Sequence, residues 1–570
     1  MTRKWFGRWS GALVCLAVAV ILASLFPSRA ADQTASPVIG GAVLDSQSQP
    51  VEDSEVALTS ADEQEILAQT RTQPNGRYDI PVPEAIPDTL VVRIERPHFR
   101  ETETELSPEM IQQLRAGEVV VLPDLILERE VSAGFWVATL VFAGVLILIA
   151  AGVLHNTLAA LSGAVLLLAV SYLSSIAFEG LYIFNFETAL RYVDWNVIFL
   201  IMGMMIVIAV VERTGIFQWL AFRAYQVSRG RVWLLVVILM LVTGVGSAFL
   251  DNVTTMLLMT PITIQIAMAL GINPLALLLP EVMASNVAGV STLVGTPTNI
   301  LIGSYAGISF NGFLTNLTPG VLLALLGLIL YSELAYRREL RAAHDSSPML
   351  LERLEERATI TQPGHLRKAA WVGAGMLVLF VFGERIHLLP AVTALIGATA
   401  LLLWIRPDIE EMIEAVDWTT LVFFIALFIV VGAIQEVGLI SFIADQIGRL
   451  VGDSLVLAML AIVWLGALLS TVVANIPFTA AMLPVVGYLT TIVPGAQNQA
   501  LFYSLSVGSG MGGNGSLIGA SANMVTAGIA ERAGHPITYM GFLKRGFPAL
   551  IITVGLASIW LLVRFVLLGG

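Results

Sequence analysis

From Gly134 onward the chain is a series of apolar runs, each long enough to matter in lipid. About 20 consecutive apolar residues span a bilayer. That length predicts crossings near 134–153, 157–177, 194–212, 275–305, 319–336, 369–385, 389–405, 418–436, 500–530 and 548–567. Two further stretches, 232–270 and 455–492, are too long for one helix. Each carries polar residues and a proline in its middle, so each predicts a helical hairpin that enters and leaves on the same side. Upstream the period changes. Val38–Asp45, Val56–Thr59, Tyr78–Ile80 and Leu90–Ile94 are short β-type runs separated by turn residues, and they predict a small β-sandwich over residues 31–130. Residues 1–30 combine Arg3, Lys4 and Arg8, an apolar stretch from Gly11 to Phe26, and Ser28-Arg29-Ala30, which reads as a secretory signal cleaved after Ala30.

Composition agrees with this pattern. The 570 residues are 56% hydrophobic and 13% charged, half the charge of an average soluble domain. The net charge is −12, with the acidic excess near the N-terminus and no basic stripe, so no nucleic-acid partner is expected. Cys15 is the only cysteine, so a chain cleaved after Ala30 would have no thiol for a disulfide, a zinc site or a nucleophile. Arginine and lysine set orientation. Arg337, Arg338, Arg341, Arg353, Arg357, Arg367 and Lys368 mark 337–368 as a cytoplasmic linker between membrane halves 134–336 and 369–570. Arg213, Arg223, Arg229 and Arg231, and then Lys544 and Arg545, mark two more cytoplasmic stretches. The expected location is the inner cell membrane, multi-pass, with the β-domain periplasmic.

The membrane part repeats itself. Val193-Asp194-Trp195 recurs as Val416-Asp417-Trp418, an offset of 417 − 194 = 223. Asn252 and Asn475, and Pro261 and Pro484, keep that offset. Thr292-Leu293-Val294-Gly295 then matches Ser516-Leu517-Ile518-Gly519, and Asn299 matches Asn523, at 523 − 299 = 224. An odd number of crossings separates the copies, so they run in opposite directions. Inverted repeats with a site at their interface mark secondary transporters.

Four polar islands interrupt the apolar runs. The first is Asp251-Asn252-Val253-Thr254-Thr255, and the second is Ser291-Thr292-Leu293-Val294-Gly295-Thr296-Pro297-Thr298-Asn299. The third holds Asn475 and Thr479; the fourth runs from Gly508 to Asn523 and holds Asn514, Ser516, Gly519 and Ser521. Irregular backbone at membrane depth is tolerated where it lines a cavity or is buried in protein. Small residues also serve close helix packing, but four islands at matched offsets favour a site. Unwound carbonyls suit a cation and helix N-termini suit an anion. Asp251 is the sharpest residue, because a charge at the bilayer centre costs about 2.5–3.5 kcal/mol. It reads as a proton carrier or sodium partner, compatible with a role as a helix N-cap; its counterpart is Ala474. Glu281 reads as interfacial, and Asp194 and Asp417, each before a tryptophan, as interface anchors.

Two resemblances follow from these residues. The β-region resembles the carboxypeptidase regulatory-like domain through Gly41-x-Val43-x-Asp45, Pro50-Val51 and Asn75-Gly76-x-Tyr78, which implies a binding or structural module. Asp-Asn-Val-Thr-Thr-Met at 251–256 and Gly-Thr-Pro-Thr-Asn at 295–299 resemble the ion transporter superfamily over residues 135–570. The nearest branch is that of arsenite permeases, NhaD-type sodium/proton antiporters and the melanosomal P protein, with citrate and dicarboxylate transporters further off. The resemblance implies a homodimer with a scaffold and a mobile transport part. It also implies substrate and ion sites at Asp251, Asn252, Thr254, Ser291, Thr292, Thr298, Asn299, Asn475, Thr479, Ser516 and Asn523, with sodium at Asn252, Thr298 and Asn299. Here Gly519-Ala520-Ser521-Ala522-Asn523 replaces the fuller motif in the second repeat.

The expectation is a secondary active transporter of an inorganic ion or small anion coupled to Na⁺ or H⁺, not an enzyme, with no cofactor and with lipid as its surroundings. Sodium/proton exchange and arsenite, oxyanion or carboxylate permeation remain open alternatives. A non-transporting sensor is the reading from another class, and residues 337–368 are too short to hold a signalling module.

Overall fold

The computed structural model describes residues 37–45, 50–60, 66–83, 85–177, 180–341 and 359–569. The predicted signal with Cys15, and residues 342–358 of the predicted linker, lie outside the described residues. The chain divides into two compact units, residues 1–130 and 131–570.

The first unit is built from two four-stranded sheets. Its strands are β1 (Val38–Asp45), β2 (Glu55–Ser60), β3 (Ile66–Arg71), β4 (Arg77–Pro81), β5 (Leu90–Glu95), β6 (Thr102–Glu105), β7 (Val120–Val121) and β8 (Leu125–Leu127). One sheet runs β4-β1-β7, with β8 pairing farther along β1; the other runs β3-β2-β5-β6. Strand alternation sends Ile39, Val43, Val56, Leu58, Ile80, Val92 and Ile94 into one core, all fully buried. Asn75-Gly76 makes the turn into β4. Gly76 has φ +73, and a Cβ there would meet the Val43 carbonyl oxygen at 2.6 Å, so only glycine fits. The strands missed in the sequence, β3, β6 and the short β7 and β8, are polar or two to three residues long and carry little alternation.

The second unit is helical. After α1 (Pro108–Arg115) of the first unit come α2 (Ala133–Ala151), α3 (Asn156–Ala177), α4 (Trp195–Glu212), α5 (Ile216–Ser228), α6 (Val232–Phe249) and α7 (Asn252–Ala269). Then follow α8 (Leu275–Gly289), α9 (Pro297–Ala306), α10 (Phe310–Ala335), α11 (Pro363–Phe382) and α12 (Pro390–Ile405). The second half supplies α13 (Trp418–Glu436), α14 (Leu439–Val451), α15 (Leu455–Ser470), α16 (Asn475–Ile492), α17 (Ala500–Gly512), α18 (Ser521–Arg532) and α19 (Tyr539–Leu562). Ten helices among the described residues are long and apolar enough to cross a membrane. The roster differs from the predicted spans for a physical reason. The runs 275–305 and 500–530 are each broken in two and α12, at 389–405, has 16 residues, so these pieces are too short to count, whereas the hairpin arms α6, α7 and α16 qualify singly. Leu322, Leu326, Leu330 and Leu334 form an exposed stripe at every fourth position of α10; in water such a stripe is a liability, and in lipid it is the expected outer face.

Two predicted starts move. Ser309 and Thr538 cap α10 and α19 by accepting from the amides of Gly312 and Gly541, each at 3.1 Å. Pro319 and Pro548 therefore lie inside those helices. Asp194 and Asp417 are N-caps of α4 and α13, accepting from the amides of Asn196 (3.0 Å) and Thr420 (3.1 Å). The tryptophans beside them are exposed, as an interfacial belt requires.

The two repeats, α4–α10 and α13–α19, share one order: long helix, amphipathic helix, hairpin, broken helix, long helix. Only Leu250 and Asp251 separate α6 from α7, and both are extended, with ψ of 158° and 155°. The α15–α16 corner runs through residues 471–474.

Candidate functional site

Each break between helices is held by the same polar staple. In repeat 1, Thr292 donates its hydroxyl to the Ala248 carbonyl and accepts from the Gly295 amide at 3.1 Å. The Asn299 amide nitrogen donates to the carbonyls of Val290 (2.9 Å) and Thr292 (2.7 Å). In repeat 2, Ser516 donates to the Thr471 carbonyl (2.5 Å) and accepts from the Gly519 amide (3.1 Å), and Asn523 donates to Gly513 (2.7 Å) and Ser516 (2.9 Å). The staple satisfies carbonyls that unwinding leaves without a helical partner. It also brings backbone against backbone. A Cβ on Gly295 would stand 2.5 Å from the Gly289 carbonyl oxygen and 2.7 Å from that of Ser247; on Gly519, 2.9 Å from Ser470 and 3.0 Å from Gly513. The glycines at these two positions are steric requirements.

Between the staples, asparagines meet across the pseudo-symmetry. Asn286 donates to the side-chain oxygens of Asn514 and Asn523, each at 3.0 Å, and accepts from Asn252 at 2.9 Å. Ser506 of α17 donates to Asn299 at 2.5 Å. These amides and hydroxyls are buried, so each bond replaces one that water would have made.

In front of this polar core lies a cavity of about 510 Å³. Both hairpin tips reach it, through Asp251 and Thr254 and through Ala474 and Pro477; both broken helices reach it, through Pro297 and Ser521. Its outer wall comes from α4, α13 and the start of α3, and includes Glu212, Asp417 and His155. No arginine or lysine is among its lining residues. Asp251 caps α7: Oδ1 accepts from the amides of Val253 and Thr254, each at 2.9 Å, and Oδ2 accepts from the Thr254 hydroxyl at 2.5 Å. All three are bonds that a carboxylate accepts. The matching N-cap in repeat 2 is Ala474, without a side-chain bond, and α9 and α18 likewise begin at Thr296 and Ala520 without one.

Of the residues singled out in the sequence, Asp251, Thr254 and Ser521 face the cavity. The others stand behind it. Thr255 and Thr479 return their hydroxyls to the carbonyls of Asp251 (2.9 Å) and Asn475 (2.7 Å). Ser291 bonds Ala288 (2.6 Å), and Thr296 pairs with Thr298 (3.2 Å). Asn475 is buried at the first position of α16. Glu281 is not interfacial: it is 0% exposed, in the middle of α8. Its misplacement came from reading α8 as the outer end of a long span, when in fact α8 lies between α7, α6 and the second repeat. Asn286, Ser247 and Ser285 were also missed. Ser247 matches Ser470 at 223 and Ser285 matches Ser509 at 224, so the repeat offset would have found the serines.

Residues 144–508 match the model of a family described as citrate transporter. The chain belongs to the citrate transporter family. It is therefore a transporter and a multi-pass membrane protein. It is similar to an uncharacterized transporter of Mycobacterium bovis, at 36% identity over 76% of this chain and 99% of that protein. It is also similar to a 46 kDa membrane protein of Mycobacterium leprae, at 34% over 76% and 99%. The P protein of Homo sapiens is 32% identical over 82% of this chain and 64% of its own length. Of the groups that the motifs suggested, the P protein is among the relatives, and the citrate transporters, placed further off, give the family its description. Among solved structures, the YdaH transporter of Alcanivorax borkumensis matches 72% of this chain and 99% of its own, at 18% identity and a TM-score of 0.49.

Proposed function

We propose that this transporter is a secondary active carrier of a small anion coupled to a cation, Na⁺ or H⁺, both handled in the cavity between the repeats. The observation that carries the reading is the polarity of that cavity. One hairpin tip presents the Asp251 carboxylate, and the facing tip and broken helix present the N-termini of α16 and α18 without side-chain caps. A carboxylate supplies oxygen ligands for a cation, and an uncapped helix N-terminus directs N–H groups and positive dipole at an anion. The family description supplies citrate as the first anion to try. Asp251, Thr254 and Ser521 are the residues proposed to touch the transported species, while Asn252, Thr292, Asn299, Asn514, Ser516 and Asn523 hold the broken helices that present them.

Sodium/proton exchange is the second reading. It is favoured by Glu212, Asp251 and Asp417 on a wall that has no basic residue except His155. A substrate screen in proteoliposomes separates the two, with wild type beside Asp251→Asn. Asparagine keeps the N-cap and removes the charge. The expected result is labelled citrate or another small anion accumulating under an imposed Na⁺ or H⁺ gradient in wild type and not in the variant. Undiminished, still coupled flux in the variant sinks the assignment of Asp251. Na⁺-driven proton movement without any anion selects the second reading. Deleting residues 37–130 keeps flux if the chain is a transporter that does not use its β-domain as a receptor.

A further inference from the structure

Behind the cavity, in repeat 1 alone, a carboxyl group is buried against two helices, α6 and α7, that have no ionisable residue. Glu281 is 0% exposed. Its Oε1 accepts from the Thr243 hydroxyl of α6 at 2.7 Å. Its Oε2 is buried without a hydrogen-bond partner, and so is the Thr263 hydroxyl of α7, which stands beside the carboxyl. Repeat 2 has nothing of the kind. The residues at the matching offsets are Leu505, Gly466 and Val486, although one turn away the serine pairs are kept. Ser247 meets Ser285 at 2.9 Å in repeat 1, and Ser470 donates to the Ser509 carbonyl at 3.0 Å in repeat 2. The two halves thus share their packing here and differ in one ionisable group.

An ionised carboxylate in such a place, without a counter-charge, costs far more than a neutral acid. The elements packed on α8 confirm that no counter-charge is at hand. Neither α6 nor α7 has an ionisable residue. Tyr503 of α17 is bonded by Asn316 and Tyr331 of α10 by the Arg545 carbonyl. Arg545 of α19 pairs with Glu339 at 3.3 Å. Glu333, Glu531, Arg532, Tyr539 and Lys544 lie toward the ends of α10, α18 and α19, and Arg564 lies past the end of α19. A proton on Oε2 removes the charge that α6 and α7 leave unmatched, and the neutral acid can donate to the Thr263 hydroxyl beside it. Four side-chain oxygens from three residues are few for a metal ion, which takes about six, so a proton fits the site better than Na⁺.

We propose that Glu281, with Thr243 and Thr263, is a buried proton-binding site of repeat 1 that couples proton movement to the transport cycle. This rests on the reading of the chain as a gradient-driven carrier. Loading forms one O–H bond on Oε2 and cancels the carboxylate charge; release breaks that bond and returns the proton to water. The site communicates with the cavity along α8 itself. Ser285 and Asn286 lie four and five residues on, about 6–8 Å along the axis, and Asn286 joins Asn252, which follows Asp251 at the hairpin tip.

The test uses the full chain in lipid vesicles. Infrared difference spectra between acid and alkaline buffer should show the carbonyl band of a protonated buried carboxyl in wild type, lost on alkalinisation. That band should be absent from Glu281→Gln, an isosteric variant whose folded fraction is checked by gel filtration. Should that variant fold poorly, Glu281→Asp replaces it and should move the titration midpoint. The same band change in wild type and in Glu281→Gln, or an unmoved midpoint in Glu281→Asp, overturns the proposal. In parallel, vesicles given a pH gradient and labelled citrate should accumulate the label through wild type and fall to the no-gradient level with Glu281→Gln; equal accumulation overturns the coupling role. If wild type carries no citrate, the transport reading fails in that form, and the infrared result still decides whether Glu281 holds a proton.

Discussion

In repeat 1 the hairpin tip ends on Asp251, whose carboxylate closes the first turn of α7 by three hydrogen bonds. In repeat 2 the same corner is Ala474, and the first turn of α16 has no side-chain cap. Behind the tips the contrast repeats, with Glu281 facing Thr243 in one half and Leu505 at the matching position in the other. Yet the staples formed by Thr292 and Asn299, and by Ser516 and Asn523, agree in three bonds of four; the fourth runs to Val290 in one half and to Gly513, the counterpart of Gly289, in the other. The difference teaches which polar residues build the frame and which are free to carry chemistry. A frame needed twice is kept twice. A charge that has to appear on one side of a cavity is found once.

The comparison can be broken first at the glycines. Gly295→Val and Gly519→Val should each abolish folded, active protein, because a side chain there must displace backbone. The milder Gly295→Ala should cost about 1–3 kcal/mol and more than Gly519→Ala, since its contacts are closer; thermal unfolding in detergent measures both. Next, Asp251→Asn should lose gradient-driven flux with little loss of stability, whereas Ala474→Asn should stabilise α16 by about 0.5–2 kcal/mol; flux and melting on the same preparations separate cap from chemistry. Asn299→Ala and Asn523→Ala should each cost about 1–3 kcal/mol by leaving buried carbonyls unpaired. Similar losses uphold the shared frame, and a loss confined to one half breaks it. The smallest effect belongs to the serine pairs. Ser247→Ala and Ser470→Ala should cost about 1 kcal/mol each and leave coupling unchanged, in contrast to Glu281→Gln one turn away.

Much of the fold was legible because lipid imposes a length on apolar runs and because inverted repeats leave a constant offset. The hairpins were recognisable from polar residues and prolines in mid-run, and the breaks from Gly295-Thr296-Pro297 and Gly508 to Asn523. Asp251 stood out as a carboxylate where hydrocarbon was expected. Glu281 did not, because its depth depends on what surrounds α8, and neighbours in space leave no mark on local hydropathy. Asn299 and Asn523 were legible as polar residues at matched places, but their donors go to carbonyls several residues back, which only the folded loop brings near.

The sequence by itself determined a polytopic membrane transporter with paired hairpins, paired broken helices and one acidic tip, because periodicity, hydropathy and the 223–224 offset are properties of a linear string. The tertiary structure decided that three of the sixteen singled-out residues face the cavity, that the asparagines form a bridge between the halves, and that Glu281 is enclosed. Burial and hydrogen bonding depend on helices meeting from distant parts of the chain, and that meeting turned a list of polar residues into a wall, a frame and a buried acid.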